Sequence, residues 1–164
     1  MARVLLWACL SDMLSVTPTN GPNGALQLHA STVAIDGQAV CITGPSGAGK
    51  SELALALMAY GATLVADDIT WIKRAASGLM AHCPPTISGR IEARNVGILS
   101  ADAAPPAPLA LVVDLGRAET DRLPPRRHVT LLGVDTALLH SSASVYFPAI
   151  IWHYMRHGQA EYSA

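Results

Sequence analysis

The sequence predicts an α/β domain on a mixed sheet, with more strand than helix, and three observations lead there. Apolar runs of strand length outnumber helical periodicities. The pair Asp36-Gly37 separates two such runs and marks a hairpin, which an all-parallel sheet lacks. The glycine-rich stretch Gly44–Ser51 stands between an apolar run and a helix-forming run, the order of a strand–loop–helix unit. With 164 residues there is room for one sizeable core. Residues 25–164 are therefore expected to form one domain, with 1–24 as a loose lead-in.

The elements follow in order. SVTPTNGPNG, residues 15–24, is turn-rich. LQLHASTVAI and AVCITG read as strands flanking the turn DGQ. SELALALMAYG is rich in helix formers and stops at Gly61, and ATLVA is a strand ended by Asp67-Asp68. ITWIKRAASGLMAHCPP reads as a hairpin turning near Ser77-Gly78, and TISGRIEARNVGILS as a glycine-containing loop with an apolar end. ADAAPPAP, residues 101–108, is expected to be an exposed connection. LALVVDLG is a buried strand, 117–128 a loop, VTLLGV a further strand, and Pro148 to Gly158 a closing helix.

Composition removes several function classes. The chain is 51% hydrophobic and 14% charged with a formal net charge of -1, so nothing electrostatic favours nucleic acid or an anionic membrane. Aromatic residues are 5%, too few for base-stacking platforms. Cys9, Cys41 and Cys83 show no CxxC or Cys/His ligand spacing, which argues against a disulfide framework or a zinc site and fits a cytoplasmic protein. The N-terminal MARVLLWACLSDML lacks a small-residue cleavage site, and Met13 could serve as a start without loss of any motif. No run reaches the length of a membrane span.

Gly44-Pro45-Ser46-Gly47-Ala48-Gly49-Lys50-Ser51 matches G-x-x-x-x-G-K-[ST] in full, after an apolar strand and at a helix start. Glycines let backbone N–H groups converge on phosphate oxygens, and the helix N-terminus adds partial positive charge. Lys50 would reach the outer phosphates and Ser51 would ligate Mg²⁺. Lys50 and Lys73 are the two lysines of the chain, so a chance Gly-Lys pair here is less expected than usual.

Asp67 and Asp68 follow one short helix and one short strand later. If that strand runs parallel to the one entering the loop, both carboxylates stand at the phosphate edge. Neighbouring strand residues point oppositely, and two carboxylates in one site repel, so their roles should divide. One would sit near metal or phosphate, and the other would act as base toward an acceptor hydroxyl. A turn or helix cap is the plainer reading of Asp at such a place.

GPSGAGKSELALALMAYGATLVADD resembles the core of the bacterial HPr kinase/phosphorylase family, in its short alphaproteobacterial form made of the C-terminal catalytic domain. Ile91-Glu92-Ala93-Arg94-Asn95-Val96-Gly97-Ile98 is similar to the family's E-x-R-G-x-G-I signature, with Asn95 in place of Gly. His29 falls where the family has an active-site histidine, and Asp121-Arg122-Leu123 resembles its Asp-Arg-Leu segment; the likeness runs from about 25 to 125. It implies a phosphoenolpyruvate-carboxykinase-like fold, a P-loop on a mixed curved sheet with few helices. It also implies ATP and Mg²⁺ as cofactors, an HPr-like phosphocarrier as protein substrate, and a homo-oligomer, often a hexamer. On this resemblance Asp68, with Asp67 beside it, takes the proton of the target serine, Glu92 joins Ser51 at the metal, and His29 and Arg122 complete the site. The reverse reaction, phosphorolysis releasing pyrophosphate, is implied as well. Read without the family, His29 is a structural histidine, Glu92 and Arg94 lie on a solvated strand, and Arg122 lies in a polar loop. The His153/His157 pair reads as a helix surface. A non-catalytic ATP-sensing module remains the alternative to a kinase, and a small-molecule P-loop kinase is disfavoured for want of an Arg-rich lid.

Overall fold

The computed structural model describes residues 10–161; Cys9 and most of the N-terminal stretch MARVLLWACLSDML lie outside the described residues. In chain order the strands are β1 (Leu10–Ser11), β2 (Thr19–Asn20), β3 (Leu26–Ile35) and β4 (Gln38–Thr43). After helix α1 (Lys50–Ala59) come β5 (Thr63–Ala66), β6 (Ile69–Ala75), β7 (Gly78–His82), β8 (Arg90–Ala93) and β9 (Gly97–Ser100). Strands β10 (Ala107–Ala118), β11 (Arg127–Leu131) and β12 (Val134–Ser141) precede helix α2 (Phe147–His157).

The main sheet is mixed and runs β1-β11-β12-β10-β4-β3-β6-β7, with β2 and β5 also paired to β3. Strand β10 runs parallel to both β4 and β12, whereas β3 is antiparallel to β4, β5 and β6. The start of β10 also pairs with β7, Ala107 opposite Ala81, so β10, β4, β3, β6 and β7 close into a ring. The expected curved, mixed sheet with two α-helices among the described residues is therefore what forms.

The two faces of this sheet carry separate cores. Small and β-branched side chains fill the inside of the ring, among them Ala30, Cys41, Val112 and Ile72. Burial pushes the Cys41 thiol up to about 12, as suits an inert core residue. On the other face Val33, Ile42, Leu64 and Val113 pack against Leu53 and Leu57 of α1 and Phe147 and Ile151 of α2. Each helix thus buries an i, i+4 pair, the spacing that places two side chains on one side.

Four segments differ from expectation. VTLLGV is not one strand: Leu132 and Gly133, both at positive φ (48° and 76°), turn the chain between β11 and β12. That is the geometry of a two-residue hairpin, but Leu-Gly carries none of the usual Asn-Gly signal. Strand β12, a segment given no element in the sequence reading beyond Val134, is the parallel neighbour of β10. The 101–108 connection is partly inside, since Leu64 bridges Ala103, and β10 already begins at the buried Ala107. TISGRIEARNVGILS forms the β8–β9 hairpin, turning with Asn95 at φ 65°, a left-handed conformation that Asn tolerates well.

The lead-in is also fastened. Backbone N–H of Asp12 donates to His128 O at 2.9 Å. Arg127 bridges Asp12 (3.4 Å) and Glu119 (3.0 Å), while Ser15 N–H and its hydroxyl donate to the fully buried Asp114. The Arg127 guanidinium, hydrogen-bonded to Glu119, holds that carboxyl below the usual glutamate range. A depressed folded-state pKa gives stability above the unfolded pKa and loses it as pH falls through the lowered value. The stability gap between the parent and Glu119→Gln, taken from urea midpoints, should be full at pH 7 and close on acidification below about pH 4. A gap that stays constant down to pH 3 would contradict the pairing.

Candidate active site

The glycine-rich loop joins β4 to α1 at one edge of the sheet. Gly47 and Gly49 stand at φ 80° and 95°, and a side chain at Gly47 would meet nothing within 4 Å. The left-handed turns and the open space let the backbone approach a ligand closely. Gly49 precedes the first helical residue and no side-chain hydrogen bond caps α1 there, so the first-turn N–H groups remain for another acceptor. The Lys50 ammonium folds back over the loop, donating to Gly44 O (3.0 Å) and Pro45 O (3.1 Å).

Strand β5 runs in the same direction as β4, with β3 between them, because each is antiparallel to β3. The Asp pair therefore reaches the edge of the glycine loop, as expected. It interrupts a strand instead of ending one. Thr32 pairs with Ala66 and His29 with Ile69, so Asp67 and Asp68 lie opposite Ser31 and Ala30 in a continuing ladder. The kink sits at Asp68, whose φ is 70°.

That kink separates the two carboxylates. Asp67 is 6% exposed and held at both oxygens: Oδ1 accepts from Ser31 Oγ (2.7 Å) and Ser51 Oγ (2.8 Å), and Oδ2 from the Glu92 backbone N–H (2.9 Å). Asp68 is 75% exposed and lies 3.7 Å from His29 Nδ1. The two carboxylates thus differ in burial: one is anchored and the other faces solvent.

Ser31, Gly47, Lys50, Ser51, Asp67, Asp68, Glu92 and Arg94 are among the residues lining an open cavity of about 140 Å³. Arg94 reaches across from the β8–β9 turn, its Nε 3.9 Å from Glu52 Oε1. A larger groove of about 570 Å³ at the far end of α1 is lined by Met58, Leu64 and Asp102 among others, with no cation to receive a phosphate. The smaller cavity is the candidate site.

Sequence reasoning missed Ser31 and Glu52, and quoted Arg94 within the E-x-R-G-x-G-I likeness without giving it a role. Glu52 could have been found from its place directly after the loop motif, whereas no local pattern marks Ser31. Arg122 is exposed on the segment after β10 and is not among the lining residues. His153 and His157 are exposed with ring centroids 4.5 Å apart, away from this cavity.

Among the described residues no group of three or more His, Cys, Asp and Glu side chains could hold a metal ion by itself. The hard oxygen donors Ser51, Asp67 and Glu92 suit Mg²⁺, which usually binds through one or two carboxylates plus phosphate oxygens and water. No helix of the described residues is long and apolar enough to cross a membrane.

Residues 24–104 match the family model described as HPr Serine kinase C-terminal domain. A curated HPr kinase/phosphorylase of Bordetella petrii is 45% identical over 73 residues, 44% of this chain and 24% of that protein. The protein of the same name from Aromatoleum aromaticum is 40% identical over 94 residues, 57% of this chain and 30% of that one. The chain thus spans about a quarter to a third of the length of these relatives. The solved Hpr(Ser) kinase/phosphatase of Coxiella burnetii superposes with a TM-score of 0.68 at 26% identity, covering 79% of this chain and 93% of that one.

Removing Asp67 orphans the buried Ser31 hydroxyl, so Asp67→Ala should lower stability by about 1–3 kcal/mol. Asp68→Gly, which relieves a left-handed residue, should be neutral or stabilising by under about 1 kcal/mol. Urea unfolding of both variants checks this, and equal losses would contradict the division of roles.

Proposed function

We propose, from the premise that residues 24–104 belong to the HPr serine kinase C-terminal domain family, that the chain transfers the terminal phosphoryl group of ATP to a serine of an HPr-like phosphocarrier. The observation that carries this reading is the anchored Asp67 against Ser51, with the exposed Asp68 beside it at the mouth of the same cavity.

The loop N–H groups of residues 46–51 and the end of α1 bind the phosphates, and Lys50 exchanges its two carbonyl contacts for phosphate oxygens. Ser51, with Asp67 and Glu92 beside it, would hold Mg²⁺, which would supply neutralisation of charge on the phosphates. Ser51 keeps its hydroxyl proton on Asp67, which leaves its lone pairs facing the cavity, and Glu92 offers a further oxygen from β8. Asp68 accepts the proton of the incoming serine hydroxyl. The serine oxygen then bonds to the γ-phosphorus as the bond to the β–γ bridging oxygen breaks, and ADP leaves. His29, beside Asp68, orients that carboxylate. In the phosphorolytic direction Asp68 returns the proton to the departing serine while inorganic phosphate attacks, and pyrophosphate forms.

Arg122 is assigned to the acceptor protein. It lies on the exposed segment leaving β10, a strand parallel to β4 that ends at the same edge. Val96 and Ile98, 76% and 64% exposed on and beside β9, support self-association of the kind the family resemblance implies.

The test is incubation with labelled ATP, Mg²⁺ and the phosphocarrier of the same cell, followed by locating the label. Label on a carrier serine is expected. Lys50→Ala and Asp68→Asn should each reduce transfer by at least about 100-fold, with unchanged circular dichroism. ATP binding without transfer would instead favour a nucleotide-sensing module.

A further inference from the structure

We propose that Ser31 is a positioning residue for the cation-side carboxylate, acting through Asp67 on the Mg²⁺-dependent part of nucleotide binding. The inference rests on the preceding reading only in placing a Mg²⁺–nucleotide in this cavity.

Ser31 is fully buried in the interior of β3, among Ala30 and Val33, which are equally buried. A hydroxyl in such a place costs free energy unless it is hydrogen-bonded, so an apolar residue would serve packing alone better. Its bond goes to Asp67 Oδ1 (2.7 Å), the oxygen that also accepts from Ser51 (2.8 Å). The arrangement has a chemical consequence. A carboxylate swings about two side-chain torsions, and Ser51 alone cannot fix it, because Ser51 itself must turn its lone pairs to the cavity. Ser31 comes from a different element and fixes Oδ1 independently, while the Glu92 N–H fixes Oδ2. Three elements, β3, α1 and β8, thus set one carboxylate. Loss of the β3 donor leaves Oδ1 dependent on Ser51 and the Glu92 N–H as the remaining independent restraint on that carboxylate. Outer-shell donors of this kind typically govern metal affinity by about 10–100-fold.

A merely structural hydroxyl would change stability without separating two binding constants, and that separation is the readout. Binding of a fluorescent ADP analogue to the full chain is measured across a Mg²⁺ series and in EDTA, with melting curves as the folding control. In Ser31→Ala the half-saturating Mg²⁺ concentration should rise about tenfold or more, while affinity in EDTA changes less than about twofold. Ser31→Thr, which keeps the hydroxyl, should recover most of the loss. The proposal is overturned if folded Ser31→Ala needs the same Mg²⁺ as the parent, if affinity in EDTA falls equally, or if the parent itself binds ADP without regard to Mg²⁺. Transfer to the carrier is scored separately on the parent. Mg²⁺-dependent binding without transfer tells against the kinase reading and leaves the Ser31 result standing.

Discussion

One carboxylate holds the site together. Asp67 accepts hydrogen bonds from β3, from the first turn of α1 and from β8, so three elements converge on it. A buried charge is tolerated only when it is paired or richly hydrogen-bonded, and its removal leaves its donors stranded. The helix start, the strand kink and the β8–β9 hairpin therefore stand in fixed relation to the glycine loop. Asp68 inherits its place from this anchor. With Asp67 turned inward, and a left-handed residue next, the second carboxylate must face the solvent side.

A second buried carboxylate supports the opposite flank. Asp114, fully buried within β10, takes the Ser15 N–H and hydroxyl and the Gly116 N–H. A side chain at Gly116 would strike Pro45 of the glycine loop at 2.8 Å as well as Ser15. The N-terminal segment, β10 and the loop are thereby packed in a fixed order, and Arg127 ties Asp12 to Glu119 nearby. The loop lies between two carboxylates that serve different ends. Asp67 faces the cavity, whereas Asp114 holds the scaffold and is not among the lining residues.

Much of this was legible in the sequence, and the rest was not for physical reasons. Gly44–Ser51 and Asp67-Asp68 could be placed because chain order and strand direction put both at one edge, whatever the remaining topology. The Asp36-Gly37 hairpin could be read because both residues adopt positive φ (48° and 78°), which their types favour. Strand β12 could not, since Leu132-Gly133 makes the same turn without the usual residues. Ser31 was hidden because its role depends on register against Asp67, a relation 36 residues apart in the chain. The fastening of Asp12 and Ser15 spans still longer separations, 115 and 99 residues, and a turn-rich composition gave no hint of it.

The proposed chemistry requires the carboxylate pair to lie close to the transferable phosphoryl group. A crystal structure of the full chain with Mg²⁺ and a non-hydrolysable ATP analogue measures that distance directly. Expected are a cation at about 2.1 Å from Ser51 Oγ, Asp67 still accepting from Ser31, and the Asp68 carboxylate facing the terminal phosphorus with room for one hydroxyl between them. Phosphates seated away from the glycine loop, or Asp68 turned from them with the cation elsewhere, would contradict it.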